Sequence, residues 1–410
     1  PTATQATLTV LIPRKDAATP LTLSLVLDLD PVGTKKITGT ITGTDPGPVG
    51  TTLNISGAVT ADRAHYSKAV PALPPGSRPL SYTFVLPPRT INTTSTATAA
   101  GSVLTLTGTD TAANLGVKLG AYVSGTGIPD NTFVTLISTN NLQITLSKNT
   151  TAAPTNNLTF ANPSEPLGYG SGTATIDSLG RVTVSGRLAD GWKFTRVSTT
   201  LSKDDTWPLY LPLYDGKGVY LAQCQVSATP NSDMDASGVW YKAPTGNDRY
   251  LLPSGFGPLF QDFLAAAYTA PVAGTPWIVP GLASSAPQTG LATASFTKGS
   301  LVTRGTPVID GEFSTKLELA GVTAKTLFVG ERAALAGFAN PNAVSFTASP
   351  STGTFTGKFE HPQTHSVVTF DGVFYQKDPA GKGFGYGAFL GPKLPAGDNR
   401  EIGTLVITPN

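Results

Sequence analysis

Charge is what this chain has least of. Among 410 residues there are 28 Lys or Arg and 26 Asp or Glu, 13 % in all, which is about half the usual share for a soluble domain. The signs nearly cancel at +2 and no basic run occurs. Neither a nucleic acid nor an anionic membrane surface would find a matching field, so nucleic acid is not an expected partner. Cysteine is almost absent as well. Cys224 stands alone, which excludes an internal disulfide and a cysteine-ligated zinc site. The residue is expected to be a small buried apolar side chain. Long apolar runs are missing, because Pro or Gly interrupts each one early, so no transmembrane helix is expected. No signal peptide is visible either, yet the chain opens at Pro1 without Met, and a processed or truncated N-terminus is expected. Helical patterning is confined to one stretch, Pro258 to Ala267, long enough for about three turns.

What is abundant is glycine, proline and threonine, with 44 Gly and 34 Pro. A surface built on Thr favours strands, since its branched Cβ restricts the first side-chain torsion. One short pattern recurs: apolar, then Ser, Thr or Asp, then Gly, any residue, apolar. It occurs at Ile37–Ile41, Ile55–Val59, Val184–Leu188, Ile309–Phe313, Phe355–Phe359 and Phe370–Phe374. Each copy lies in period-two alternation, the mark of a half-buried strand. A Gly inside a strand marks a bend, a bulge or a close approach of another backbone. Repeated bends let an antiparallel sheet coil and close.

The expected fold is therefore all-β: an antiparallel coiled sheet forming a barrel or barrel-like sandwich, with a small β domain inserted. Residues 1–90 would begin the main barrel. Residues 91–163 change character: charge nearly vanishes and Thr, Asn and Ala dominate, as expected of a separate small lobe on two polar stalks. Residues 164–410 would complete the main barrel, with an irregular loop region at 229–296.

Several segments carry a resemblance. Pro13-Arg14-Lys15 leading into Leu21–Leu25, Gly180–Gly186 through Asp190-Gly191, Trp207–Tyr210, Tyr214–Gly218, Phe355–Phe359, His361-Pro362, Gly372-Val373 and Tyr386–Gly391 together resemble the C-terminal β-rich regions of large secreted or cell-surface proteins of verrucomicrobial and planctomycete-type bacteria. The insert, with Ser124-Gly125-Thr126-Gly127-Ile128-Pro129, is similar to a small β module of bacterial and phage surface proteins. The resemblance implies export, an extracellular or cell-surface location and a place near the end of a larger precursor. It brings no catalytic residues. It also implies that strands precede Pro13, so the sheet would be completed by another fragment of the same precursor or by another chain.

Candidate chemistry is sparse. His361 and His365 are four apart, but Pro362 and the flanking strands place them in a hairpin loop rather than on a metal-binding helix face. Asn231, Asp233 and Asp235 have the alternating oxygen spacing of calcium loops without the glycine and distal glutamate of an EF-hand, so calcium is the one cofactor with a candidate site. Trp240, Tyr241 and Trp277, in the irregular region, are candidate platforms for stacking on sugar rings. No Gly-x-Ser-x-Gly elbow occurs at a strand–helix junction, and no constellation supports an enzyme.

The sequence thus points to a secreted structural subunit of a bacterial extracellular filament, sheath or surface layer, a homo-oligomer or polymer held by sheet-edge and polar contacts. Leu8, Val10 and Ile12, in the strand at 6–12, are the candidate assembly strand. The alternative is a carbohydrate-binding or adhesive cell-surface module with glycans as partners.

Overall fold

The computed structural model describes residues 5–14, 19–29, 36–46, 52–62, 65–72, 81–93, 98–107, 110–152, 158–245, 251–270, 291–303, 309–318, 326–329, 340, 342–377, 384–392 and 400–409. The protein is nearly all β and forms a closed barrel and partial barrels. Every strand pair with a described register is antiparallel. The chain divides into two compact units, Pro1–Pro74 with Ser178–Gly180 and Thr200–Thr206, and the remainder.

The first unit holds a four-stranded meander: β1 (Gln5–Ile12), β2 (Leu21–Asp28), β3 (Lys36–Pro46) and β4 (Thr52–Asp62), in that spatial order. Around it, the Tyr66 hydroxyl donates to Asp205 at 3.1 Å, and Lys36 pairs with both Asp62 and Asp204.

In the second unit, β5 (Ser81–Leu86) starts an eight-stranded sheet, which the chain then leaves for the insert. There β6 (Ile91–Asn92), β7 (Thr98–Ala100), β8 (Val103–Thr105), β9 (Tyr122–Ser124), β10 (Thr132–Ile137), β11 (Gln143–Leu146) and β12 (Thr159–Ala161) make a sheet of their own. One helical turn, α1 (Ala112–Leu115), is capped by the Thr111 hydroxyl accepting from the Asn114 N–H. A separate apolar cluster around Leu104, Ile144 and Phe160 fills this lobe.

The chain returns through β13 (Gly170–Ile176), β14 (Arg181–Arg187), β15 (Lys193–Thr200), β16 (Thr206–Leu213), β17 (Gly218–Val226), β18 (Met234–Lys242) and β19 (Phe256–Ala267). The sheet runs β15-β14-β13-β5-β19-β18-β17-β16. It curls strongly, because rings from both ends of that order reach one core: Phe84 meets Phe194 and Phe263, and Phe263 meets Trp207. Alternation in β16 is complete, with Trp207, Leu209, Leu211 and Leu213 buried.

The last part is a closed eight-stranded barrel: β20 (Leu291–Lys298), then, beyond the small ribbon of β21 (Val302–Thr303) and β22 (Ile309–Asp310), β23 (Phe313–Glu318), β24 (Thr326–Val329), β25 (Ser345–Ser349), β26 (Thr354–Glu360), β27 (Val367–Tyr375), β28 (Phe384–Leu390) and β29 (Ile402–Pro409). Phe296, Phe346, Phe355, Phe359, Phe370, Phe374 and Phe389 pack inside it. Ring centroids lie 4.8 Å apart in Phe346–Phe355 and 5.2 Å apart in Phe359–Phe389. Such a lumen is a core, as small barrels require.

The all-β, antiparallel, barrel-forming fold expected from the sequence is what the structure shows, with its strands divided among a meander, a curled sheet and a closed barrel. Two findings depart from the sequence reading. Pro258–Ala267, read as helical, is strand β19. It pairs with β18 on one side and β5 on the other, and Leu259, Gln261, Phe263 and Ala265 all face the core. The glycines also act differently from simple bends. A Cβ on Gly357 would lie 2.2 Å from the Phe370 ring, and one on Gly372 would lie 2.4 Å from Phe355. Phe355 pairs with Gly372 and Gly357 pairs with Phe370. Each glycine is the seat of the ring opposite.

Candidate functional site: an open apolar sheet

Register sorts the side chains of β1–β4 into two unlike faces. On one, residues line up in rows across the strands: Val10, Leu23, Ile41, Gly57; then Leu8, Leu25, Gly39, Val59; then Ala6, Leu27, Ile37, Ala61. Ile12 and Leu21 continue the lattice, as do Gly43 and Ile55. Every one of these positions is apolar or glycine. The other face is Thr-rich: Thr9, Ser24, Thr40 and Ala58 form one row, and Thr7, Val26, Thr38 and Thr60 the next. Alternation of this kind fixes register firmly, since a one-residue slip would exchange the faces.

An apolar face of this extent normally lies against a core. Among the described residues of the four strands none is fully buried, and Leu23, Leu25, Ile41 and Val59 of this face are half-buried. Leu8 is 57 % exposed, Val10 40 % and Leu53 53 %, while Ile12 is half-buried. Strand β1 lies at one edge of the meander and β4 at the other. Among the described residues neither edge carries the usual guards. β1 has no charge and no Pro, and β4 has only Asp62, at its end and paired with Lys36. The structure therefore places Leu8, Val10 and Ile12 together, on the apolar face of an edge strand.

The other candidate residues fare differently. Trp240 is 1 % exposed and sits in β18 with its ring edge-on to Phe256 at 4.8 Å, so it offers no face to a sugar. That corrects its reading as a loop aromatic. Tyr241, its neighbour, faces outward at 41 % exposure. Trp277 lies outside the described residues. Asp233 accepts from the Ala267 N–H at 2.8 Å and pairs with Lys377 at 2.5 Å; Asp235 accepts from the Ser232 hydroxyl at 2.9 Å. The Asn231 carbonyl accepts from the Tyr375 hydroxyl at 2.6 Å. Both carboxylates thus meet protein donors, and no group of three or more His, Cys, Asp or Glu arranged for a metal occurs among the described residues.

Buried polar groups elsewhere are built into the scaffold. Asp190 receives the Tyr214 hydroxyl and the Trp192 N–H. Burial raises its pKa, against the pull of those hydrogen bonds and of Lys242 and Arg187. Burial and the Asp190 charge push the Tyr214 hydroxyl far up, and burial lowers Lys242, whose ammonium lies 4.5 Å from the Tyr214 ring centroid and donates to the Leu251 carbonyl. His361 is buried, with Nε2 on the Ser300 carbonyl and Nδ1 accepting from the Gln363 and Thr364 N–H groups. Both ring nitrogens face backbone, and burial lowers the pKa, which suits a neutral structural imidazole. Burial raises the Cys224 thiol as well.

A cleft of about 300 Å³ opens between β13–β14 and β26–β27, bridged by an Arg187–Asp371 ion pair at 2.8 Å. Among its described lining residues Asp371 is the one carboxylate. The strand expected at 6–12 corresponds to β1, Gln5–Ile12. Sequence reasoning missed the four-strand lattice, which the alternation of each strand could have disclosed once they were aligned side by side. No family model and no curated protein matches this sequence.

Proposed function

We propose that the protein is a secreted structural subunit of a bacterial extracellular filament, sheath or surface layer, and that the meander β1–β4 is where it joins its neighbours. One observation carries the reading: an edge strand without charge or proline, β1, borders an apolar sheet face on which no described residue is fully buried. Edge strands add strands readily, with backbone hydrogen bonds supplying affinity and alternate side chains supplying specificity. The low charge and Thr-rich opposite face suit close lateral packing of many copies. Export and bacterial origin rest on the resemblance of the Pro13–Leu25 and Phe355–Gly391 segments.

The test is deletion of residues 1–12, with the material imaged by negative-stain electron microscopy. Filaments, sheets or layers formed by the full chain should vanish, and assemblies unchanged by the deletion would remove β1 from the mechanism. A carbohydrate-binding role is the second reading, and a different surface favours it. Phe260 is 68 % exposed and pairs with Val239, which pairs with Leu221, one row from Tyr241. Glycan arrays with Tyr241→Ala and Phe260→Ala separate the two readings; no glycan bound at millimolar concentration removes the second.

A further inference from the structure

The apolar face of the meander requires a cover, and the chain itself shows what completes a sheet of this design. In β26–β27 the pairs Phe355–Gly372 and Gly357–Phe370 are reciprocal, large on small and small on large. In β3–β4 the pairs Ile41–Gly57 and Gly43–Ile55 repeat that arrangement. In the first case the face lines a closed eight-stranded barrel. In the second it lines four strands and stops. We propose that two copies of this chain close a shared eight-stranded antiparallel barrel, β1 joined to β1 and β4 to β4 about a two-fold axis. The inference rests on the assembly reading above and names its partner.

The geometry closes. Along the meander the strand direction alternates, so β1 and β4 run oppositely. A two-fold axis perpendicular to the strands reverses each one. Each edge then meets its own copy antiparallel, and all eight neighbours in the ring alternate. A two-fold along the barrel axis would also alternate, by setting β4 against β1. Strand length selects the first arrangement, since β1 has 8 residues and β4 has 11, and only self-pairing matches them. Such a contact is isologous, the commonest kind among homo-oligomers. Self-pairing also brings like residues together, which is costly for charged edges, and β1 has none.

Size agrees as well. Four strands at about 4.8 Å spacing and about 3.3 Å per residue present about 500 Å² in projection, before side-chain relief is counted. A standard interface buries about 800 Å² of accessible surface per partner. The lumen would hold Leu, Ile, Val and Ala from both copies, as small barrels fill their interiors, with Asp45 at its rim, near the end of β3 and paired with Arg14.

The test uses the full chain. Cys is placed singly at each position from Thr7 to Leu11. The native Cys224 is buried and its thiol pKa raised, so it stays silent. Paired strands hold opposite Cα atoms about 4.5–5.5 Å apart, within disulfide reach. One position should give a covalent dimer under mild oxidation while those farthest from it do not. The smallest particle on dilution should weigh two chains. Leu25→Glu, which puts two carboxylates in the lumen, should raise the dissociation constant by at least about a hundredfold. Ser24→Glu, on the Thr face, should leave the mass at two chains and controls for folding. A scan silent at every position, or polymers whose smallest unit is a single chain, would overturn the shared barrel while leaving assembly intact. A monomer under all conditions would overturn both. A two-chain particle that never grows further would uphold the barrel and remove the filament.

Discussion

At the residue scale, the recurring glycine makes room. Gly372 accepts the Phe355 ring, Gly403 the Phe389 ring, and Phe84 covers both Gly172 and Gly186. A methyl on Gly372 would also stand 2.2 Å from the Tyr386 carbonyl oxygen, where backbone has little freedom to retreat. Gly372→Ala should therefore destabilise the barrel by about 1–3 kcal/mol, read from denaturant unfolding, the range for overpacked cores. Burial raises the folded pKa of Asp190, so the protonated form suits the fold and stability declines as pH rises through that folded value. The Tyr214 hydrogen bond opposes this by favouring the carboxylate. Tyr214→Phe should thus cost least at low pH, where Asp190 is protonated folded or unfolded. The cost should grow to about 1–3 kcal/mol as pH rises through the folded pKa, where a buried carboxylate forms and lacks its donor. Thermal unfolding across that range checks it, and a loss equal at both ends would contradict the assignment.

At the element scale, most strands were legible because period-two alternation is local. β2 declares itself through Leu21, Leu23, Leu25 and Leu27, and β16 through Trp207, Leu209, Leu211 and Leu213. The segments missed were decided by partners. β19 has helix-favouring Leu and Ala after Phe263, yet two neighbouring strands claim its backbone, and such pairing overrides intrinsic preference. Its Pro258 is tolerated beside the register shift between Trp240 and Lys242, where the ladder is already interrupted. Failure to see β18 left Trp240 looking like a loop residue. The glycine motif was visible, but its purpose depends on which ring lies opposite, which only register discloses. Thr9→Lys adds a guard charge to the middle of β1, as natural edges do. It should abolish assembly, seen by light scattering, and leave the unfolding of the β20–β29 barrel unchanged. Assembly at the wild-type level would show that β1 does not pair.

At the scale of the whole molecule, the scarcity of charge sets how assembly responds to solution. Contacts between Leu, Ile and Val faces are unscreened by salt, while exposed ion pairs fade once the Debye length falls below about 10 Å. Between about 0.05 and 0.5 M sodium chloride the assembly midpoint should move less than about twofold, and sulfate should promote it by strengthening apolar burial. A tenfold weakening over that span would mean that charge, not the apolar lattice, holds the copies together.

The most direct measurement is peptide-resolved amide hydrogen exchange over residues 5–12 and 52–62, in dilute chains and in assembled material. If the open sheet is where copies meet, the outward N–H groups of both edge strands exchange freely in the dilute chain and become strongly protected on assembly. The β20–β29 barrel should be equally protected in both. Edge amides that exchange at the same rate before and after assembly would contradict the account.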